Sequence, residues 1–277
     1  MAQPEGAGAP RRTRSNLSLR VMSGTVLGIV ALTAVWWGDL PFRIFCVTLG
    51  ALVYLEWTVV TRAAANATAQ NVGWVLLAVV FALLLFDSPY LFPVSLTAVA
   101  VMALAALVLE RGAWTVGGFI YALCAALPLF FLREMTPPGI VAVLILFAVV
   151  WGTDICAFFV GRALGGPKLA PSISPNKTWS GAIGGALAAL ILGAFVLHFS
   201  GITIDPVVLL SLLGLSAASQ AGDLFESWVK RRFGMKDSGR IIPGHGGVMD
   251  RADGLIAAAS ASALLVLIPV FLTILSQ

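Results

Sequence analysis

Nine apolar runs decide what this chain can fold into. They lie near residues 21–38, 41–60, 71–86, 90–109, 113–132, 138–161, 180–200, 206–230 and 249–275. About 20 such residues in a helix span the hydrocarbon core of a bilayer. The pattern therefore predicts an all-α, polytopic membrane helix bundle with about nine transmembrane helices. The third run is short, and the seventh to ninth are expected to bend or break. Composition agrees: 11% of residues are charged, against roughly 25% in a soluble domain, so the chain cannot clothe itself for water. Cys46, Cys124 and Cys156 are scattered through apolar stretches without metal-ligand spacing, and read as small buried hydrophobes.

The basic residues set the orientation. Alternating connections put fifteen of the 17 on one side: the N-terminal arginines, Arg62, Arg111, Arg162, Lys168, Lys177 and the 230–251 segment. Only Arg43 and Arg133 fall on the other. Positive charge stays cytoplasmic, so the N-terminus and both long loops are expected to face the cytoplasm across a bacterial-type inner membrane. The first run ends in Trp36, Trp37, Gly38 and Asp39 without a small-residue cleavage site, and is expected to remain as an anchor. The expected organisation is a disordered basic tail over 1–20, an N-terminal transmembrane half over 21–137 and a catalytic half over 138–277.

The two halves differ in composition, and no internal repeat relates them. Up to residue 137 the spans are rich in Leu, Val and Ala, with ionisable residues mainly at span ends and Glu56 a partial exception. Beyond it, small residues recur at four-residue spacing: Gly181, Gly185, Ala189 and Gly193, then Gly254, Ala258 and Ser262. Such faces let helices approach closely in lipid. They read as packing surfaces, and they leave room for a homodimer.

Carboxylates also enter the later spans. A charge at mid-bilayer costs at least ~2.5 kcal/mol and marks a functional hypothesis by default. Asp154 lies seven residues before Gly161, Asp223 eight before Arg231, and Asp250 and Asp253 open the ninth span from the same side. All four are expected in one layer. Asp223, Glu226, Ser227 and Lys230 share one helical face. Oxygen ligands from two helices suit a hard cation such as Mg²⁺, and the lack of Cys/His pairs argues against zinc. The simpler alternative is that these acids only neutralise Lys230, Arg231 and Arg251, a reading that carries most weight for Glu226 and Asp253.

Two inward loops supply the complement. In one, Lys230, Arg231, Lys236 and Arg240 are cations available to polyphosphate oxygens. Gly244, Gly246 and Gly247 leave backbone N–H groups uncovered ahead of a helix, with His245 among them. In the other, Ser174, Lys177 and Thr178 point to the same mouth. The residues alone indicate a metal-dependent enzyme acting on a nucleotide or phospholipid phosphate.

The run from Ser227 through Lys230, Arg231, Lys236, Asp237 and Pro243–Gly247 to Asp250, Arg251 and Asp253 resembles the diagnostic motif of the phosphatidate cytidylyltransferase family. Thr153-Asp154 and Ser174, Pro175, Lys177, Thr178 and Trp179 resemble its other inward elements, so the likeness covers about 150–255. It implies CTP and phosphatidic acid as substrates, CDP-diacylglycerol and pyrophosphate as products, and Mg²⁺ as cofactor with room for a second ion. It further implies metal ligands among Asp223, Asp250, Asp253 and Asp154, and catalytic roles for Lys230, Arg231, Lys236, His245 and Arg251. Substrate would be bound by Ser174, Lys177, Thr178, Ser227, Gly244, Gly246 and Gly247. No nucleic-acid partner is expected.

Two positions depart from the pattern: Ala252 replaces a larger apolar residue, and Ser180 stands where a Glu is usual. A cation-coupled transporter is disfavoured because the acids cluster near one face. A CDP-alcohol phosphotransferase is disfavoured because its Asp-Gly-x-x-Ala-Arg motif is absent.

Overall fold

A computed structural model describes residues 12–61, 67–109, 113–134, 138–242 and 246–275. Among them the chain forms nine helices and one small hairpin. In order these are α1 (Arg12–Trp37), α2 (Asp39–Thr61), α3 (Ala67–Leu85), α4 (Leu91–Val108), α5 (Ala113–Glu134) and α6 (Gly139–Leu164). Then come β1 (Lys168–Ala170), β2 (Ser174–Thr178), α7 (Trp179–Phe199), α8 (Pro206–Arg232) and α9 (Met249–Leu275). Helices α2 to α8 are long and apolar enough to cross a membrane, and α1 adds a shorter apolar stretch, Val21–Trp37. Large apolar side chains such as Phe86, Leu107, Ile191 and Phe199 are exposed. An apolar outer surface on this scale needs lipid rather than water around it. The chain is a multi-pass membrane protein.

Local signals set the helix ends. Asp205 accepts a hydrogen bond from the Val208 amide at 2.8 Å, with Pro206 opening α8, the usual pairing of an acidic N-cap and a proline in the first turn. Helix α6 ends at Gly165, whose φ of 62° is readily adopted only without a side chain. The main core joins α2, α3 and α5 through Phe42, Tyr54, Leu77, Leu84, Phe119 and Leu129, all nearly or fully buried, and extends to α9 at Ile256 and Ala259.

A second close packing brings α6, α7 and α8 together. A Cβ on Gly181 or Gly185 would run into the backbone carbonyls of Ala157 and Thr153, and one on Gly193 into Leu212. The small face of α7 is thus occupied within the chain. Between α6 and α8, the buried hydroxyls of Thr153 and Ser216 bond at 2.8 Å.

Three features differ from the sequence reading. Helix α1 begins at Arg12, so residues 12–20, expected as tail, are helical; the apolar pattern marks only the part of a helix that meets lipid. Helices α7, α8 and α9 are each continuous rather than broken. The segment after α6, expected as a plain loop, is a hairpin in which Lys168 pairs with Thr178 and Ala170 with Ser174. Its strands are too short and polar to show a two-residue alternation.

Candidate active site

The carboxylate-bearing segments meet at one end of the bundle, where α6 and α8 finish and α7 and α9 begin. They enclose a cavity of about 1270 Å³. Asp154 reaches it from α6, Lys168, Asn176 and Lys177 from the hairpin, and Gln220, Asp223 and Lys230 from α8. Helix α9 adds Asp250, Arg251 and Asp253. The same cavity is lined by apolar residues of two further helices, Leu27 and Val30 of α1 and Phe45 and Leu52 of α2, and by Phe147, Ile155 and Phe158 of α6. It therefore joins a strongly charged region to an oily one.

Helix α8 organises the charges. The side chains of Asp223, Glu226, Ser227 and Lys230 project along one stripe, as their spacing requires. Lys177 of the hairpin pairs with Asp223, and the Ser227 hydroxyl donates to the same carboxylate at 3.4 Å. Lys230 pairs with the buried Glu226 and donates to Asp250 at 2.6 Å. Asp154, Asp223 and Asp253 are near enough to repel one another, and Lys177 offsets part of that repulsion. Helices α8 and α9 approach so closely because Gly222 and Gly254 meet the Asp253 carbonyl and the Ser219 hydroxyl, respectively, with no room for a Cβ.

The connection between these helices folds around Asp250. The Ser238 amide donates to both of its oxygens, at 3.1 and 2.9 Å, and the Gly247 amide to one at 2.9 Å. The Ile242 amide donates to the Gly246 carbonyl at 2.9 Å, and Gly246 has a φ of 88° that favours glycine. From α2, the buried Glu56 accepts from the Ser238 hydroxyl and the Val248 amide, each at 2.9 Å, and from the Met249 amide at 2.7 Å.

Eight residues singled out from the sequence line the cavity: Asp154, Lys177, Thr178, Asp223, Lys230, Asp250, Arg251 and Asp253. Ser174 sits in β2 and outside the lining, Ser227 bonds to Asp223, and Arg231 and Lys236 are exposed and outside the cavity wall. Gly244 and His245 lie outside the described residues. Gly247 does not hold a bare N–H out to a ligand: its amide serves Asp250, and Glu56 and Ser238 fill the space a side chain would need. Thr178 caps α7 by accepting from the Gly181 amide at 3.1 Å. Ser180, where a Glu is usual, donates to the Gly165 carbonyl.

Sequence reasoning missed Glu56, Gln220 and Asn176 as parts of the site, and treated Arg162 and Lys168 only as topological charge although both line the cavity. For Glu56 the signal was present: a lone carboxylate in an otherwise apolar α2 span.

The cavity sets an acidic and basic wall beside an apolar one in a multi-pass membrane protein. The chain belongs to the cytidylyltransferase family, whose model matches residues 18–269. It is 46% identical over 251 residues to the phosphatidate cytidylyltransferase of Brucella suis, covering 89% of this chain and 92% of that one. The Bacillus subtilis phosphatidate cytidylyltransferase is 33% identical over 257 residues, covering 87% and 94%. That of Haemophilus influenzae is 48% identical over 126 residues, 43% of each chain.

Proposed function

We propose that the cavity transfers the cytidylyl group of CTP to phosphatidic acid, giving CDP-diacylglycerol and pyrophosphate with the help of a divalent cation. The observation that carries this reading is the double character of the one cavity. Its charged wall suits a polyphosphate, while its apolar wall suits the tails of a lipid whose headgroup must reach the same point. A phosphatidate oxygen attacks the α-phosphorus of CTP, the bond from that phosphorus to the β-bridging oxygen breaks, and pyrophosphate leaves. The nucleophile is already anionic, so no strong base is needed. What the protein must supply is alignment of two polyanions and stabilisation of charge on the leaving group.

The residues fit a hard cation. Asp223 and Asp250 are each paired with a lysine, Lys177 and Lys230, whose ammonium groups stand where positive charge is wanted. No three of His, Cys, Asp and Glu form a ready cage among the described residues. Mg²⁺ typically needs only one or two carboxylates, because substrate phosphates complete its shell. Asp223 and Asp250 would hold it, with Asp154 and Asp253 adding negative potential. When bound, the ion supplies charge to polyphosphate oxygens and to the departing pyrophosphate. Lys177, Lys230 and Arg251 would face the phosphates themselves, and Gln220 and Asn176 would offer neutral donors.

We place the protein in a bacterial inner membrane with its N-terminus and this cavity toward the cytoplasm, where CTP is found. The opposite end carries Arg43 and Arg133, the two basic residues left over by the charge asymmetry. Reporter fusions should put the two termini on opposite sides; the same side for both would remove a span from the account.

Purified protein given labelled CTP, phosphatidate and Mg²⁺ should form CDP-diacylglycerol and one pyrophosphate per product. Replacing phosphatidate with diacylglycerol should stop the reaction, because the attacking phosphate is then missing. Absence of a cytidylyl lipid under these conditions would overturn the reading.

A further inference from the structure

The geometry points to Glu56 as a positioning residue that sets Asp250 in place by capping α9 from another helix. Helix α9 starts at Met249, and the first amides of any helix lack partners within it. Here the carboxylate that meets them comes from α2, 193 residues away in sequence, and takes the Val248 and Met249 amides together at 2.9 and 2.7 Å. A negative charge at this point is also favoured by the helix dipole. Asp250 is the next residue along.

Glu56 grips the other side of the turn as well, through the Ser238 hydroxyl at 2.9 Å, while the Ser238 amide donates to Asp250. Two carboxylates thus brace one loop, Asp250 from inside and Glu56 from behind. The fit leaves no slack, since a Cβ on either Gly239 or Gly247 would collide with the Glu56 carboxyl group. Those two glycines therefore answer to Glu56 rather than to a bound phosphate. Glu56 itself is buried and absent from the cavity lining, so it acts through Asp250 and not on substrate. The arrangement also explains why an N-terminal helix with no cavity-facing acid carries a carboxylate at that depth. It joins the first half of the chain to the reacting end of the second.

The inference rests on the cytidylyl-transfer reading for its turnover measurement, but not for its structural one. Glu56→Gln keeps the side chain's shape and one acceptor oxygen while turning an NH₂ group toward donors. In full-length protein in detergent, hydrogen–deuterium exchange over 246–250 should quicken at least tenfold, with α3 and α4 unchanged. Turnover should fall at least tenfold through kcat, with KM for CTP changing less than threefold. Ser238→Ala removes one of the three bonds and should move both readouts the same way by a smaller factor. Unchanged exchange at 246–250 in Glu56→Gln would overturn the proposal. So would faster exchange with kcat within twofold of wild type, since the tether would then be structural only. If Glu56→Gln does not fold, Ser238→Ala decides by the same two readouts. Wild-type protein lacking cytidylyl transfer would instead count against the functional reading, leaving the exchange arm to judge the tether.

Discussion

The bundle carries charge at both ends, and the two ends are built on opposite principles. At the end holding Arg43 and Arg133, cations stitch helices together. Arg43 lies 3.0 Å from Asp87 and 3.4 Å from Glu134, and also donates to the Leu85 carbonyl at 3.5 Å. Arg133 donates to the Val35 carbonyl at 2.9 Å and fills the space beside Gly38. Each guanidinium ties its helix to at least one neighbour. At the other end, Asp154, Asp223, Asp250 and Asp253 line an open cavity, and Asp154, Asp223 and Asp253 are crowded enough to repel one another. At the first end each cation serves only to tie helices together, whereas at the second Lys177 and Lys230 pair with Asp223 and Asp250 while further carboxylates crowd beside them around a cavity.

That contrast predicts different losses on mutation. The largest should follow Asp223→Asn or Asp250→Asn, which keep shape but remove charge where a cation and a leaving pyrophosphate must be balanced. Losing one such preorganised electrostatic partner costs about 10²–10³ in kcat, so turnover should drop at least that far while elution in detergent stays monodisperse. Asp253→Asn should fall between these and wild type. Near-normal turnover and metal dependence in Asp250→Asn would make it a structural acid and erase the contrast at that residue.

Lys177→Ala should come next. It leaves Asp223 in place but removes the cation proposed to face the polyphosphate, so steady-state kinetics should show a higher KM for CTP and a smaller fall in kcat. Lys236→Ala, at an exposed position beside the cavity, should raise the same KM by less. Equal effects of the two would argue that the cavity wall is misassigned.

Arg43→Ala should behave in the reverse manner. Removing a hydrogen-bonded ion-pair partner typically costs about 1–3 kcal/mol, so thermal unfolding in detergent should begin earlier, with turnover per folded molecule unchanged. A specific loss of turnover would couple the two ends and break the comparison. Ser180→Ala should do least: it deletes the bonds to the Gly165 carbonyl and the Thr178 hydroxyl, while Thr178 still caps α7. A loss matching that of Asp223→Asn would give Ser180 the role of the Glu usual there.

Much of this was legible in the sequence because helices in lipid advertise themselves. The nine apolar runs gave helix positions to within a few residues, except where α1 extends to Arg12 beyond the apolar pattern. The local spacing of Asp223, Glu226, Ser227 and Lys230 foretold one stripe of interacting polar side chains on α8. Long-range partners were harder. Nothing in linear order ties Glu56 to Met249, or Lys177 to Asp223, because those meetings depend on how α2 and the hairpin pack. The glycines of the 239–247 loop show the same limit. Sequence supports both a phosphate cradle and a tight backbone crossing, and only packing reveals that Glu56 and Asp250 take the space and the amide at Gly247.

The central claim is that one cavity at the acid-lined end receives the lipid headgroup and the nucleotide together. The most direct test is photocrosslinking with a phosphatidate carrying its reactive group near the glycerol, in competition with unlabelled phosphatidate, followed by peptide mapping. The account predicts competed labelling of the cavity-lining segments 24–31 of α1, 45–52 of α2 and 151–158 of α6, without labelling of α3 or α4. Competed labelling confined to α3 and α4, or to the end that holds Arg43, would contradict it.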